Sequence, residues 1–294
     1  MRITNSLQYT SLQTNIETSL GELNAVQKQI STGKKLTDFS DDPSGASQSL
    51  SLRSAAADNS QYQRDADSAK SYLSAADGAL SSVSSVVQSA RQIALQGASG
   101  AQSPDSLKAL SSQVDGIIQQ VTQLANTDLH GTYLFGGTQT KAPPFDAAQN
   151  YQGNAQPLSA GIGPGYSIQT STPGGTVFGP TFAALQSLKQ HLADAAAGTP
   201  GAQAAVSGDI AQVDTGLSAI NAAQAGIGAK GSQVDAVKQQ LTRAQTGYQD
   251  AISNIEDVDL ATAYVQLQSA QNIYQASLST TAKAFQYSLA DYLH

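Results

Sequence analysis

Apolar positions spaced in alternating steps of four and three run through most of this 294-residue chain. At the N-terminal end the stripe is Tyr9, Leu12, Ile16, Ser19, Leu23, Val26 and Ile30. At the C-terminal end it is Leu260, Tyr264, Leu267, Gln271, Tyr274, Leu278, Thr281, Phe285, Leu289 and Tyr292. A repeat averaging ~3.5 residues is the seam of a coiled coil, not the broader face of a globular surface helix. The two ends therefore predict helices that pair with each other. Between Leu260 and Leu293 only Lys283 and Asp291 carry formal charge. So little charge around a seam implies that the outer faces are covered as well, by copies of the same chain.

The same spacing recurs inside the chain. Ala69, Leu73, Ala76, Leu80, Val83, Val87, Ala90 and Ala94 form one stripe, and Leu107, Leu110, Val114, Ile117, Val121 and Leu124 the next. Gly97 and Gly100 separate them, and Ser103-Pro104-Asp105 supplies an N-cap, a proline in the first turn and an acidic residue beside it. A short connection predicts antiparallel neighbours, so 66–129 reads as a helical hairpin. A later stripe runs Val206, Ile210, Val213, Leu217, Ile220, Ile227, Val234, Leu241, Tyr248, Ile252 and Ile255. Gly226, Gly228 and Gly231 weaken it and predict a bend. The phase breaks at Glu256-Asp257-Val258-Asp259, matching a break at Gly33 and Asp38–Pro43 on the other side. Six of the nine prolines fall between Lys141 and Thr181, a density that argues against a long helix there. Tyr166–Thr170 and Thr176-Val177-Phe178 read as strands. The expected organisation is nested. Terminal coiled-coil segments comprise 1–40 with 257–294, a helical body comprises 41–140 with 183–256, and a β-rich outer insert comprises 141–182.

Composition narrows the function classes. Charged residues make up 13% of the chain, against ~25% in ordinary globular proteins. Aromatic content is 6% with no Trp, which disfavours one thick core. A net charge of −7 disfavours nucleic acid or an anionic membrane as partner. The absence of cysteine removes disulfides, thiolate metal sites and a cysteine nucleophile. The first residues show no signal-peptide apolar region, so export, where it occurs, is expected by another route. The charge-poor terminal helices are expected to be disordered in a lone subunit and to order when neighbours cover them.

Motif blocks then give a resemblance. Gln29-Ile30-Ser31-Thr32-Gly33-Lys34-Lys35 with Ser40-Asp41-Asp42-Pro43 resembles the N-terminal signature of the flagellin superfamily. Tyr133-Leu134-Phe135-Gly136-Gly137, Pro144-Phe145 and Tyr151-Gln152-Gly153 are similar to the branch that forms the junction between hook and filament. Ile255–Ala261, Tyr274-Gln275-Ala276 and Ala290–Leu293 complete the match, leaving roughly 154–205 without recognisable motif. Thr37-Asp38-Phe39 departs from the pattern. So does the ending Tyr292-Leu293-His294, which is unlike the Leu-Leu-Arg type of ending of filament subunits. The resemblance implies a mainly α, flagellin-like elongated helical bundle acting as a structural adaptor, with a flagellin filament subunit as the alternative. It implies copies of itself in a ring, the proximal junction protein (hook-associated protein 1), flagellin and a flagellar export chaperone as partners. It also implies export by the flagellar type III system. The expected assembly interface is Leu12, Ile16, Leu23, Val26, Ile30, Leu260, Tyr264, Leu267, Tyr274, Leu278, Phe285, Leu289 and Tyr292.

Candidate chemistry changes little. Asp41 and Asp42 read as turn and cap residues rather than a metal pair. Glu256, Asp257 and Asp259 read as a helix junction, with a salt bridge to Arg2, Arg53 or Arg243 left open. Ser31–Lys35 lacks the upstream glycine and preceding strand of a phosphate loop, and Gly161-x-Gly163-x-Gly165 fails the dinucleotide spacing. His130, His191 and His294 are too dispersed for a zinc site. No cofactor and no catalysis are expected. Tyr133-Leu134-Phe135 reads as a strand that packs locally onto the hairpin rather than as a partner site.

Overall fold

The computed structural model describes residues 2–292, with side chains for Leu7 and for 9–283. Among the described residues three helices precede two small hairpins and three helices follow them. Helix α1 spans Arg2–Thr32, α2 Pro43–Ala98, α3 Pro104–Ala125, α4 Gly174–Ala196, α5 Ala202–Glu256 and α6 Leu260–Tyr292. Strands β1 (Asp128–Leu129) and β2 (Thr132–Tyr133) pair antiparallel, as do β3 (Ser159–Gly163) and β4 (Tyr166–Gln169). No described helix is long and apolar enough to cross a membrane. The described chain divides into two compact units, Met1–Asp58 with Ala244–His294 and Asn59–Arg243. The division falls inside α2 and α5, whereas the breaks between helices fall at 33–42 and 257–259.

The unit 59–243 is built on heptads. On α2, Ala66, Ala69, Leu73, Ala76, Leu80, Val83, Val87, Ala90 and Ala94 are buried without a gap in the three-four pattern. On α5, burial falls at intervals of seven, on Val206, Val213, Ile220, Ile227, Val234 and Leu241. Helix α5 stays helical through Gly226, Gly228 and Gly231, where buried Ile227 holds it to the core. Helix α3 starts as its sequence dictates. Ser103 Oγ accepts from Ser106 N at 3.2 Å, Pro104 opens the helix and Asp105 sits in its first turn. Helix α3 packs on α4, where Ser111 Oγ donates to Lys189 O at 3.0 Å and Lys189 Nζ meets Asp115 at 2.5 Å.

Around 176–178 the sequence expectation fails. Thr176-Val177-Phe178 lies in α4, not in a strand, and Pro180 lies inside that helix. The reason is aromatic packing. A helix places Phe178 and Phe182 one turn apart on one face, and that face closes a cluster with Phe135 and Phe145. Phe135 and Phe178 meet edge-to-face at 4.9 Å and Phe145 and Phe178 at 5.7 Å, while Phe145 and Phe182 meet tilted at 5.1 Å. Pro180 is the seventh residue of α4, past the four N–H groups that lack an intrahelical partner, so it gives up the bond to the Thr176 carbonyl, a cost the aromatic packing offsets. Tyr133-Leu134-Phe135 packs locally: Leu134 and Phe135 are buried, and Phe135 lies in this cluster. Asn126 clamps the following loop with both amide atoms, donating to Phe145 O and accepting from Phe145 N, each at 2.9 Å. At Gly137 (φ 68°) an added Cβ would stand 2.8 Å from Gln156 O, so the Gly-Gly pair is a close backbone crossing.

Candidate assembly site

The unit formed by 1–58 and 244–294 joins its helices through a polar clasp. Helix α1 ends at Gly33, whose φ of 69° is the left-handed stop that glycine adopts without a Cβ penalty. The turn lays Lys34 against Asp257 as an antiparallel bridge. Val258 N donates to Gly33 O at 3.0 Å, and Lys35 N donates to Glu256 O at 2.6 Å. Side chains repeat the link, with Lys34 Nζ 2.5 Å from Asp257 Oδ1 and 3.4 Å from Glu256 Oε2.

Glu256 is the centre of the clasp. It is buried, and Arg53 grips it bidentately, with Nε 2.9 Å from Oε1 and Nη2 2.6 Å from Oε2. The Ser49 hydroxyl also donates to Oε1. The Arg53 hydrogen bonds first, then those from Ser49 and Lys34, outweigh burial and hold the Glu256 carboxyl at about 2. Of the three arginines the sequence left open, Arg53 is therefore the partner. The remaining carboxylates serve as caps. Asp259 Oδ1 accepts from Ala261 N at 3.0 Å at the start of α6, and Asp42 Oδ1 accepts from Ser44 N and Gly45 N at the start of α2. Asp41 Oδ2 ties the turn by accepting from Thr37 N at 3.1 Å and Asp38 N at 2.9 Å. These hydrogen bonds hold Asp41 below the usual carboxylate range, and the Thr262 hydroxyl, donating at 2.8 Å, does the same for Asp259 with help from the Ala261 N–H.

Beyond the clasp α1 packs on α6. Lys34 opposes Asp257, and Ser19 Oγ lies 3.4 Å from Ser277 Oγ, so the two helices run antiparallel. On α1 the inward residues are those the stripe indicates: Ser19 is buried, and Leu12, Ile16, Leu23, Val26 and Ile30 are half-buried. On α6 the seam is shifted. Its inward residues are Ala263, Leu267, Ala270, Tyr274, Ser277 and Thr281, again in steps of four and three. Leu260, Tyr264 and Leu278 instead lie on an exposed flank, about 70° round the helix from that seam. The sequence stripe merged the two because Leu267, Tyr274 and Thr281 satisfy both spacings, and small Ala and Ser residues give a weak hydrophobic signal. The side chains of Phe285, Leu289 and Tyr292 lie outside the described residues.

One further polar cluster invites a catalytic reading. Asp209 is fully buried and accepts from Ser187 Oγ at 2.8 Å, with His191 Nδ1 at 2.7 Å. Hydroxyl and imidazole converge on the same carboxylate, whereas a nucleophile relay needs the hydroxyl on the far ring nitrogen. The trio joins α4 to α5 as a structural knot.

Terminal helices paired with each other and locked by a charge clasp, in a chain that also carries a heptad-built unit, define a helical assembly subunit of the kind whose two chain ends fold together. Comparison with known proteins agrees. The model for the bacterial flagellin N-terminal helical region matches residues 3–140, and that for the bacterial flagellin C-terminal helical region matches 210–293. The chain belongs to the flagellin family. It is 33% identical over 180 residues to flagellar hook-associated protein 3 of Salmonella typhimurium, a match covering 60% of this chain and 57% of that protein. It is 27% identical to flagellar hook-associated protein 3 of Escherichia coli, over 97% of this chain and 96% of that one. A crystal structure of Bacillus cereus FlgL shares the fold, with a TM-score of 0.61 at 23% identity over 69% of this chain and 99% of that chain.

Proposed function

We propose that this chain is a structural adaptor subunit of the bacterial flagellum at the junction between hook and filament. It would join the proximal junction protein, hook-associated protein 1, to flagellin by helix packing. The observation that carries the reading is the terminal pair. Helices α1 and α6 seal one seam with small residues and leave a second, uncharged apolar stripe uncovered on α6. Such a stripe on an isolated subunit is a surface awaiting neighbours. The 33% identity to hook-associated protein 3 over 180 residues, against 27% for a flagellin matched over nearly the whole chain, favours the junction over the filament.

The assembly interface comprises the seam residues Leu12, Ile16, Leu23, Val26, Ile30, Leu267 and Tyr274, which hold the pair, and Leu260, Tyr264 and Leu278, which face neighbours. Phe285, Leu289 and Tyr292 would continue it. The terminal helices are marginal in a lone subunit and complete their burial in the assembly, because helix stability comes mainly from packing of the apolar face. The subunit works by packing and carries out no catalysis. A cysteine-free, charge-poor chain suits passage in unfolded form through the flagellar type III channel, with an export chaperone shielding the C-terminal stripe beforehand.

The second reading, a filament subunit, draws on the fact that both matching family models describe flagellin itself. One experiment tests the assembly role and a second separates the two readings. A chain lacking 260–294 is expected to remain soluble and to abolish filament growth on hooks that form normally. Normal filaments from that truncation contradict either assembly role. Long filaments polymerised from the intact purified protein alone favour the filament subunit.

A further inference from the structure

The residues buried at intervals of seven on α5 each have a companion three positions on, in the second inward row of a heptad: Asp209, Gly216, Ala223, Lys230 and Val237. Helix α4 covers the start of that row, where Ser187 bonds Asp209 and an added Cβ at Gly216 would stand 2.9 Å from Thr181 Oγ1. Strand β4 meets the row further on, where Lys230 Nζ donates to Gln169 Oε1 at 3.3 Å. A lysine thus occupies a position that heptad packing assigns to an apolar residue, and it is half-buried there. Its charge has no opposite. Lys28, Lys34, Lys70, Lys189 and Lys238 each meet a carboxylate at 2.5 or 2.6 Å. Among the described residues no carboxylate pairs with Lys230, whose hydrogen-bond partner is a neutral amide oxygen. Burial therefore pushes the Lys230 amine below the ordinary lysine range, with no neighbouring charge to oppose it. More of the amine then carries the free lone pair that attacks an electrophile.

We infer that Lys230 is an acylation site, its Nζ taking a small acyl group from an acyl phosphate. The neutral amine attacks the carbonyl carbon and forms the C–N bond. The C–O bond to the phosphate breaks, phosphate leaves with the electron pair, and a proton passes from nitrogen to solvent. The amide formed is uncharged and keeps one N–H for Gln169 Oε1. The product therefore suits this desolvated position better than the ammonium does. A small donor fits because the amine lies half-buried against β4. The site lies within the unit 59–243 and is independent of the assembly role proposed above.

The test treats the full-length chain with acetyl phosphate at about pH 8 to low conversion, and peptide mass spectrometry gives the rate at each lysine. Lys230 is expected to acylate at least about fivefold faster than Lys108 and Lys141, which are exposed and have no carboxylate partner among the described residues. In denaturant the three rates are expected to converge. Gln169→Glu, at an exposed position of β4, sets a carboxylate against Nζ and favours the ammonium. It is expected to lower the Lys230 rate to that of Lys108 while leaving Lys108 unchanged. Three results overturn the assignment: Lys230 reacting no faster than Lys108 in the folded chain, an excess that survives in denaturant, or a Gln169→Glu chain that keeps the fast rate.

Discussion

At the residue scale the clasp concentrates its energy on Glu256. Its carboxylate accepts from Arg53 and Ser49 in a buried position, while Arg53 itself is largely exposed. Removing the carboxylate frees a guanidinium that water can solvate, so the cost is limited. Glu256→Ala is expected to destabilise the terminal unit by about 1–2 kcal/mol in chemical denaturation. The pH dependence follows from the lowered pKa. A carboxyl held at about 2, against an ordinary 4.5, contributes fully above pH 4.5 and loses that contribution as pH falls toward 2. The loss of stability over that acid range should therefore be shallower in Glu256→Gln than in the native chain. An unchanged slope would remove Glu256 from the acid response. Sequence made this residue visible as part of a phase break, but not its partner. Arg53 lies 203 positions away, and nothing in local spacing selects it over other arginines.

At the element scale, long regular stripes were legible and short irregular segments were not. The seven-residue intervals of α5 and the capped start of α3 follow from local sequence alone. The region 174–180 did not, because Thr176-Val177-Phe178 between glycines and a proline signals a short strand while the helix is imposed by four aromatic rings from three segments. Tertiary packing overrode propensity there. The seam of α6 was misphased for a related reason. Its buried positions include Ala263 and Ala270, whereas larger Leu260 and Tyr264 face outward. The two faces of α6 should therefore respond differently to substitution. Ala263→Leu overpacks the α1–α6 contact and is expected to cost about 1–3 kcal/mol. Leu278→Gln on the exposed flank is expected to change stability by less than about 0.5 kcal/mol while lowering incorporation into flagella. Thermal unfolding beside quantification of the protein in sheared flagella checks both. Equal stability losses from the two variants would refute the division into an inner seam and an outer stripe.

At the scale of the whole molecule, two compact units divide the work. The unit 59–243 carries a continuous apolar core and the aromatic cluster, and folds around its own heptads. The unit formed by the chain ends has a clasp, a thin seam of small residues and large apolar side chains left in solvent. A chain evolved to stand alone would bury Phe39, Leu50, Leu260 and Tyr264. Their exposure, joined to a nearly uncharged α6, makes sense when the final environment is other subunits. The measurement that tests this most directly is gold labelling of isolated flagella, hooks attached, with antibody to the 59–243 unit. A single band of gold between hook and filament is the expected result. Gold along the length of the filament, or none at the junction, would contradict it.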